Sequence, residues 1–219
     1  MDKMPAPNEK EIAKPLIFCT RSVLAWQQNA KTQIRRLVKP LPDGHDWTPW
    51  QDGLDNWHWS CGYDEAGPHL SPMRQPYTVG DLVWIREALM RKDDGTLYEA
   101  DNELLYSQAS WEAWHGYVRW RWKRSKLPAM FCPRWACRYY ARLTSVRAER
   151  LQDMGETDAV AEGTLVGLSW PGGTMGVPIT ARALYSDWWD QLHRKPGTIW
   201  RDNPWIWRYE LEAADASTE

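Results

Sequence analysis

Apolar residues in this chain fall in short runs separated by long polar and aromatic stretches, and this spacing limits the folds open to it. Pro15 to Thr20 (PLIFCT) and Leu82 to Glu87 (LVWIRE) are rich in residues that favour strands. Tyr139 to Val146, Ala148 to Leu151 and Trp205 to Leu211 (WIWRYEL) have the same character. Strands this short predict a small, mostly antiparallel β structure rather than a doubly wound sheet.

Helical periodicity is confined to a few segments. Val23 to Gln28 precedes an extended segment, Lys31 to Val38, which predicts a strand, helix, strand opening. Thr157 to Glu162 is a short predicted helix with a Thr N-cap and Gly163 as terminator. In Ala181 to His193 one helical face carries Leu184, Tyr185, Trp188, Trp189 and Leu192. The order of elements predicts an α+β fold, a mostly antiparallel β-barrel flanked by helices.

Two long stretches interrupt this pattern. Lys39 to Val79 is dominated by Pro, Gly, Asp, His and Trp, and Ala88 to Leu127 is also irregular. Connections of this length are either functional or insertions packed by their own aromatic residues. A length of 219 residues suits one elaborated domain better than two. We therefore predict a single domain over residues 1–219, with long Trp-rich insertions at about 40–79 and 88–128.

The aromatic residues are mainly Trp and Tyr, with 17 Trp and 9 Tyr against 2 Phe. Their N–H and O–H groups need partners when buried, so such rings suit wet interfaces and base stacking. In the second insertion, Trp120 and Trp122 interleave with the cations Arg119, Arg121, Lys123, Arg124 and Lys126. A ribbon formed by these residues could bind phosphates through its cations and stack bases on its rings. An amphipathic hairpin with Trp inward and Arg outward fits the same period of two.

The charge balance does not favour a general affinity for polyanions, because 27 basic residues against 29 acidic ones leave a net charge of -2. Any nucleic-acid surface must therefore be local. No window approaches the roughly 18 apolar residues of a membrane helix, and Met1 to Lys14 is not signal-like, so we expect no membrane partner. The four cysteines are too widely spread to indicate a secreted disulfide framework. A cytoplasmic location with reduced thiols is expected.

The familiar catalytic and metal-binding motifs are absent from the sequence. It contains no GxGxxG after a strand, no GxxxxGK[ST], no HExxH and no GxSxG. His58-x-x-Cys61 and the pair Cys132 and Cys137 lack the paired short spacings of a structural zinc site. We predict no metal and no cofactor.

One segment is more specific, since Asn29 to Arg36 (NAKTQIRR) resembles the GxKxxxxR signature of the ASCH family, a branch of the PUA-like β-barrels. Lys31 falls on the Lys of that signature and Arg36 on its Arg, while Asn29 replaces its Gly. Three later runs resemble those of longer, phage-type members, in the same order: Gly80 to Glu87 (GDLVWIRE), Met130 to Arg138 (MFCPRWACR) and Trp205 to Trp207 (WIW). The similarity covers most of the chain outside the insertions.

The resemblance implies a barrel with a cleft between the first helix and the sheet, suited to a nucleobase or RNA. Family members include small bacterial amidohydrolases that remove the acyl group from N4-acetylcytidine, and others inferred to bind or process RNA. In those amidohydrolases a Lys, a Thr three residues later and a distant Glu form the catalytic set. Lys31 matches the Lys and Glu162 matches the Glu, whereas Ile34 stands in place of the Thr and offers no nucleophile.

Hydrolysis of an acyl amide needs an attacking oxygen, a base and a donor for the tetrahedral oxyanion. Lys31 could be the donor as it stands, or the base if burial or the cations Arg35 and Arg36 lower its pKa from about 10.4. Glu162 could position or deprotonate water, and Thr32 offers a hydroxyl that could bind substrate. The expected catalytic residues are therefore Lys31, Glu162 and Thr32.

The motif positions that match the family extend the predicted site beyond these residues. The expected substrate-binding residues are Arg35, Arg36, Trp84, Arg86, Arg134 and Trp135. The first hypothesis is an amidohydrolase that acts on small N4-acylated cytosine nucleosides. The alternative is a non-catalytic protein that binds RNA or a modified nucleobase. A third hypothesis is recognition of a host factor through the Trp-rich insertions.

Overall fold

The computed structural model describes residues 13–40, 46–53, 56–64, 67–92, 95–107, 124–164 and 180–215. The predicted ribbon around Trp120 and Trp122 lies outside these ranges, apart from Arg124 and Lys126. The strands are β1 (Lys14–Ile17), β2 (Gln33–Leu37), β3 (Thr48–Gln51), β4 (Trp57–Asp64), β5 (Gly67–Pro72), β6 (Leu82–Arg86), β7 (Leu89–Lys92), β8 (Gly95–Tyr98), β9 (Leu104–Ser107), β10 (Lys126–Leu127), β11 (Tyr140–Arg150) and β12 (Trp205–Ala214).

The α-helices are α1 (Thr20–Gln27), α2 (Glu156–Ala161) and α3 (Ala181–Leu192). Short 3₁₀ turns occur at Ala129–Phe131, Arg134–Ala136, Leu151–Asp153 and Trp200–Asp202. Strands outnumber helices in the described residues, so the structure is of the α+β class. Across the same residues, no helix is both long enough and apolar enough to cross a membrane.

A five-stranded sheet in the order β1-β6-β11-β12-β2 forms the centre of the fold. β1 runs parallel to β6, and the other neighbours in this sheet are antiparallel. The longest pairing joins β11 to β12, from Tyr140 opposite Ala214 to Arg150 opposite Trp205, with a register shift between Leu143 and Ser145. The sheet is therefore mixed but mostly antiparallel.

The two edge strands of this sheet, β1 and β2, approach each other without pairing in the described residues. The Arg36 guanidinium on β2 donates a hydrogen bond to the Ile17 carbonyl on β1. The Tyr77 hydroxyl donates to the Pro15 carbonyl at 2.6 Å, while its ring lies 5.3 Å from that of Tyr209 on β12. The sheet thus curls so that side chains, not backbone hydrogen bonds, span the gap between its edges.

Alternate residues of β12 pack on opposite faces of the central sheet, as the period of a strand requires. Trp207 and Tyr209 belong to a core shared with α1, β1 and β6. Ile206 packs instead against α2 and α3, with Tyr185 and Trp189. Helices α2 and α3 therefore cover one face of the sheet.

Both stretches, which look irregular in the sequence, contain ordered strands in the described residues. The expectation of irregular structure is wrong for those parts, whereas their assignment as insertions stays a prediction. β3, β4 and β5 form a three-stranded antiparallel sheet. Its Trp57 ring lies 5.6 Å from that of Trp207, and its buried Trp59 lies 6.3 Å from Trp205. The second stretch contains a four-stranded sheet in the order β10-β7-β8-β9. In the first stretch, Trp57 and Trp59 pack against β12, and these apolar contacts cannot be predicted from the polar composition of the stretch.

Several predicted boundaries also change. The segments predicted as two strands around Val146 and Ala148 are the single strand β11. Thr157 is not the cap of α2, because Gly155 is the N-cap and its N–H donates to the Asp158 carboxylate at 3.1 Å. A carboxylate in the first turn accepts this N–H and complements the positive end of the helix, so no Thr hydroxyl is needed.

Gly163 follows the last turn of α2, where both the backbone conformation and the limited space for a side chain favour glycine. Its φ is +76°, and its N–H donates to the Val160 carbonyl at 2.8 Å. A Cβ at this position would lie 2.3 Å from the Ala25 Cβ on α1 and 3.4 Å from the Lys31 Cβ. Contacts of 2.3 Å between carbon atoms are strongly repulsive, so the end of α2 can pack this closely on α1 only with glycine.

We predict that Gly163→Ala destabilises the protein by at least about 1 kcal/mol more than Gly197→Ala. Gly197 has a φ of +77° but no atom within 4 Å of the position that a Cβ would occupy, so both variants carry a similar backbone cost of about 1 kcal/mol. Only Gly163→Ala adds overpacking, which costs about 1–3 kcal/mol. Urea unfolding measures the difference, and equal losses for the two variants would contradict the packing described for α2.

Candidate functional site

Lys31 and Glu162 are brought together by the backbone. The two residues form an isolated antiparallel β-bridge, and the Thr32 N–H donates to the Ala161 carbonyl at 2.8 Å. Lys31 Nζ lies 2.6 Å from Glu162 Oε2 and 3.1 Å from the Glu162 carbonyl oxygen. The side chains are 0% and 1% exposed, respectively. A charged pair therefore lies at the junction of α1, β2 and α2, out of contact with bulk water.

Arg35 provides a second cation for the same carboxylate. Its Nη1 lies 3.3 Å from Glu162 Oε1 and 3.1 Å from Gln33 Oε1, and its Nη2 lies 3.1 Å from Glu149 Oε1. Its Nε is buried and has no hydrogen-bond partner among the described residues. Each oxygen of Glu162 thus accepts a hydrogen bond from a different cation, which leaves further lone pairs for a ligand.

Burial makes Lys31 a stronger acid than an exposed lysine. Removal from water lowers the pKa of its ammonium group, the Glu162 carboxylate acts in the opposite direction, and the Arg36 charge adds to the lowering. The Nζ atom also lies 5.6 Å from the centre of the Phe18 ring. The ammonium group is therefore held by Glu162 and by an aromatic face rather than by water.

A cavity of about 300 Å³ lies beside this pair, at the unpaired edge of β2. Glu162, Arg35 and Arg36 contribute its charged groups, and Lys31 lies behind Glu162 rather than in the lining. The volume is at the lower end of the roughly 300–1,000 Å³ range of small-molecule sites. The cavity therefore has the size and polarity of a site for a small organic ligand.

Helix α3 forms the aromatic wall of the cavity with Tyr185, Trp188 and Trp189. Burial of the Tyr185 hydroxyl, together with the nearby Glu162 charge, raises its pKa well above the ordinary value. Tyr185 thus remains a protonated donor. The Trp189 indole donates to the Thr198 carbonyl at 2.8 Å, which fixes the orientation of its ring.

His193 follows α3 and also lines the cavity. Its Nδ1 lies 3.1 Å from the Trp189 carbonyl oxygen, and its ring stacks on the Trp189 ring with 3.9 Å between centroids and an angle of 20°. Sequence reasoning missed this residue and the two groups opposite it, Cys19 and Ser22, whose Sγ and Oγ are 3.3 Å apart. The amphipathic pattern of α3 was the available signal, but it indicated a core face rather than a cavity wall.

Among the predicted site residues, Arg35 and Arg36 line the cavity, whereas Trp84, Arg86, Arg134, Trp135 and Thr32 do not. Trp84 packs with Leu82 and Tyr140 because residues on β6 alternate between faces. The Arg86 guanidinium lies 4.6 Å from the Trp84 ring centre and donates to the Met130 carbonyl. Arg134 and Trp135 are exposed on a separate 3₁₀ turn, and Thr32 is exposed between two buried neighbours. These five residues therefore do not line the cavity beside Glu162.

We predict that Lys31→Met destabilises the protein by about 3 kcal/mol, because it leaves the buried Glu162 carboxylate without its closest cation. The double variant Lys31→Met with Glu162→Leu should recover at least about 1 kcal/mol of this loss, since an apolar pair needs no solvation. Urea unfolding of the two variants measures both effects.

Lys14→Met is the matched control, because Lys14 Nζ also lies 2.6 Å from a carboxylate, that of Asp81, but is 41% exposed. Lys14→Met should lower the free energy of unfolding by less than about 1 kcal/mol. A loss for Lys31→Met no larger than that for Lys14→Met would show that the Lys31–Glu162 pair is not isolated from water.

Comparison of the chain with protein-family models, with curated proteins and with solved structures finds no match. In the part of the chain that the structure describes, no three His, Cys, Asp or Glu side chains are grouped to hold a metal ion.

Proposed function

We propose that this protein is an amidohydrolase that removes acyl groups from N4-acylated cytosine nucleosides. The observation that supports this most strongly is the buried Lys31–Glu162 pair, 2.6 Å apart, beside a cavity of about 300 Å³ with an aromatic wall. A binding scaffold does not need two desolvated charges in contact, and such groups cluster where chemistry requires perturbed acid–base behaviour.

We also propose that the fold is PUA-like and of the ASCH type, as the sequence motifs imply. Two features support this. Asn29 has a φ of +54°, the left-handed conformation for which glycine or asparagine is suited, at the position where the signature has Gly. The curled sheet brings the edges β1 and β2 together through Arg36 and Ile17, as expected for strands arranged around a barrel.

The cavity suits a pyrimidine whose ring lies against the aromatic wall. Trp188 offers a face for stacking, which is worth about 1–3 kcal/mol per base. The free lone pairs of Glu162 would accept hydrogen bonds from an N–H of the ligand or from water. Arg36 is a donor that suits a carbonyl oxygen as it becomes negatively charged.

Ile34 is 3% exposed and has no nucleophilic atom, so the proposed reaction uses water. Water attacks the acyl carbonyl carbon, and the bond from that carbon to N4 then breaks. Glu162 positions the water or the base edge in this scheme. Lys31 acts through Glu162, because its own side chain does not reach the cavity lining. Thr32 has no role in it, since its side chain is exposed outside the cavity.

A second candidate function is the binding of a modified nucleobase, free or in RNA, without hydrolysis. One observation favours it: both oxygens of Glu162 are already hydrogen-bonded to Lys31 and Arg35. A carboxylate held in this way is well suited to fixing the orientation of a base. The two candidates differ in turnover and not in the location of the ligand.

The purified protein should convert N4-acetylcytidine to cytidine, as followed by chromatography. Glu162→Gln should lower kcat/KM at least about 100-fold, because it removes the charged group that orders the cavity. Lys31→Ala should have a comparable effect. Thr32→Ala and Lys14→Ala should retain the rate within about twofold, since both residues lie outside the lining.

Thermal unfolding of each variant separates loss of activity from loss of fold. A wild-type protein that forms no cytidine would reject the hydrolase. If calorimetry then detected cytidine binding that Glu162→Gln weakens, the binding function would remain. Unchanged turnover in folded Lys31→Ala would reject the proposed role of the pair.

A further inference from the structure

Hydrolysis at this site needs a group in the cavity that can take a proton from water. Glu162 accepts hydrogen bonds at both oxygens, from Lys31 at 2.6 Å and from Arg35 at 3.3 Å. Lys31 Nζ is itself fully buried and donates to two oxygens of Glu162. In the proposed complex the remaining lone pairs of Glu162 orient the nucleobase, and Lys31 lies behind Glu162, so neither group is placed to take the proton from water.

His193 is a basic group on the same cavity surface, and its tautomer is set by the backbone. A carbonyl oxygen only accepts hydrogen bonds, so the 3.1 Å contact with the Trp189 carbonyl places the proton of the neutral ring on Nδ1. The lone pair is therefore on Nε2. Stacking on Trp189 holds the ring plane, and the Trp189 indole is fixed in turn by the Thr198 carbonyl. The ring is thus oriented before any ligand arrives.

Burial and nearby cations favour the neutral form of the His193 ring. Burial is the largest effect and lowers its pKa, and the cations Arg36 and Lys39 lower it further. The hydrogen bond to the Trp189 carbonyl and the Asp190 carboxylate on α3 act in the opposite direction without reversing the shift. Glu162 from the end of α2 and Cys19 from the start of α1 face the same cavity. A neutral imidazole is the form that can accept a proton.

We propose that His193 is the general base of the hydrolysis, a role that rests on the proposed function. Nε2 removes a proton from water as the water oxygen bonds to the acyl carbon. The carbon–N4 bond then breaks, and the imidazolium returns the proton to N4. The products are the cytosine amine and the carboxylic acid, so no other reactant is consumed. Glu162 then orients the nucleobase, which is consistent with the hydrogen bonds that its two oxygens already accept from Lys31 and Arg35.

The test is the pH dependence of kcat and KM for His193→Asn acting on N4-acetylcytidine. The new side-chain amide can still donate to the Trp189 carbonyl but cannot act as a base. The wild type should show an acid limb with a midpoint below about 6.5, the ordinary pKa of histidine. In His193→Asn kcat should fall at least about 100-fold, KM should change less than about threefold, and the acid limb should disappear.

His58→Asn is the matched control, because His58 lies on β4 outside the cavity with its Nε2 3.3 Å from Asp52. It should keep the wild-type profile. Added imidazole should restore part of the activity of His193→Ala, which a purely structural role would not allow.

The outcomes distinguish a failure of the His193 assignment from a failure of the proposed hydrolase function. An active wild type whose acid limb persists in His193→Asn overturns the assignment of His193 alone. An active wild type with a folded, inactive His193→Ala that imidazole does not rescue also overturns it. A wild type without activity overturns the proposed function and the role of His193 together.

Discussion

Lys31 and Glu162 form a buried ion pair at the junction of α1, β2 and α2. Desolvation costs several kcal/mol per ion, so such a pair persists only when its geometry is close and its remaining hydrogen-bonding groups are satisfied. Lys31 meets this condition through the side chain and the backbone carbonyl of Glu162, and Glu162 through Lys31 and Arg35. The close approach of Gly163 to α1 makes this arrangement possible.

The cavity follows from the way in which the central sheet ends. β1 and β2 are its edges in the described residues, and their contact runs through side chains such as Arg36. Backbone pairing would have filled this gap. Helix α3 covers it instead, so that aromatic rings from the helix face charged groups from β2 and α2. One side of the cavity is therefore suited to stacking and the other to hydrogen bonding, which is the combination that a nucleobase requires.

The sequence predicted those features that depend on local pattern. The strand at Leu82–Arg86 is found because it is a continuous run of apolar, strand-favouring residues, and the helix at Ala181–Leu192 because its apolar residues recur with the helical period. The spacing of one motif also singled out Lys31 and Arg36, and its place in a short predicted helix singled out Glu162. Trp84 could not be placed from its motif, because strand alternation turns it to the face opposite Val83. No local pattern marks His193, since its position depends on how α3 packs against β2.

A crystal structure of the protein with bound cytidine measures directly whether this cavity is the nucleoside site. We predict a cytosine ring against the aromatic wall of α3, with an atom of its edge within about 3 Å of the Glu162 carboxylate. His193 Nε2 should lie on the side of the ring that carries N4. Cytidine bound instead on the exposed surface near Arg134 and Trp135, with the cavity beside Glu162 unoccupied, would contradict this assignment of the site.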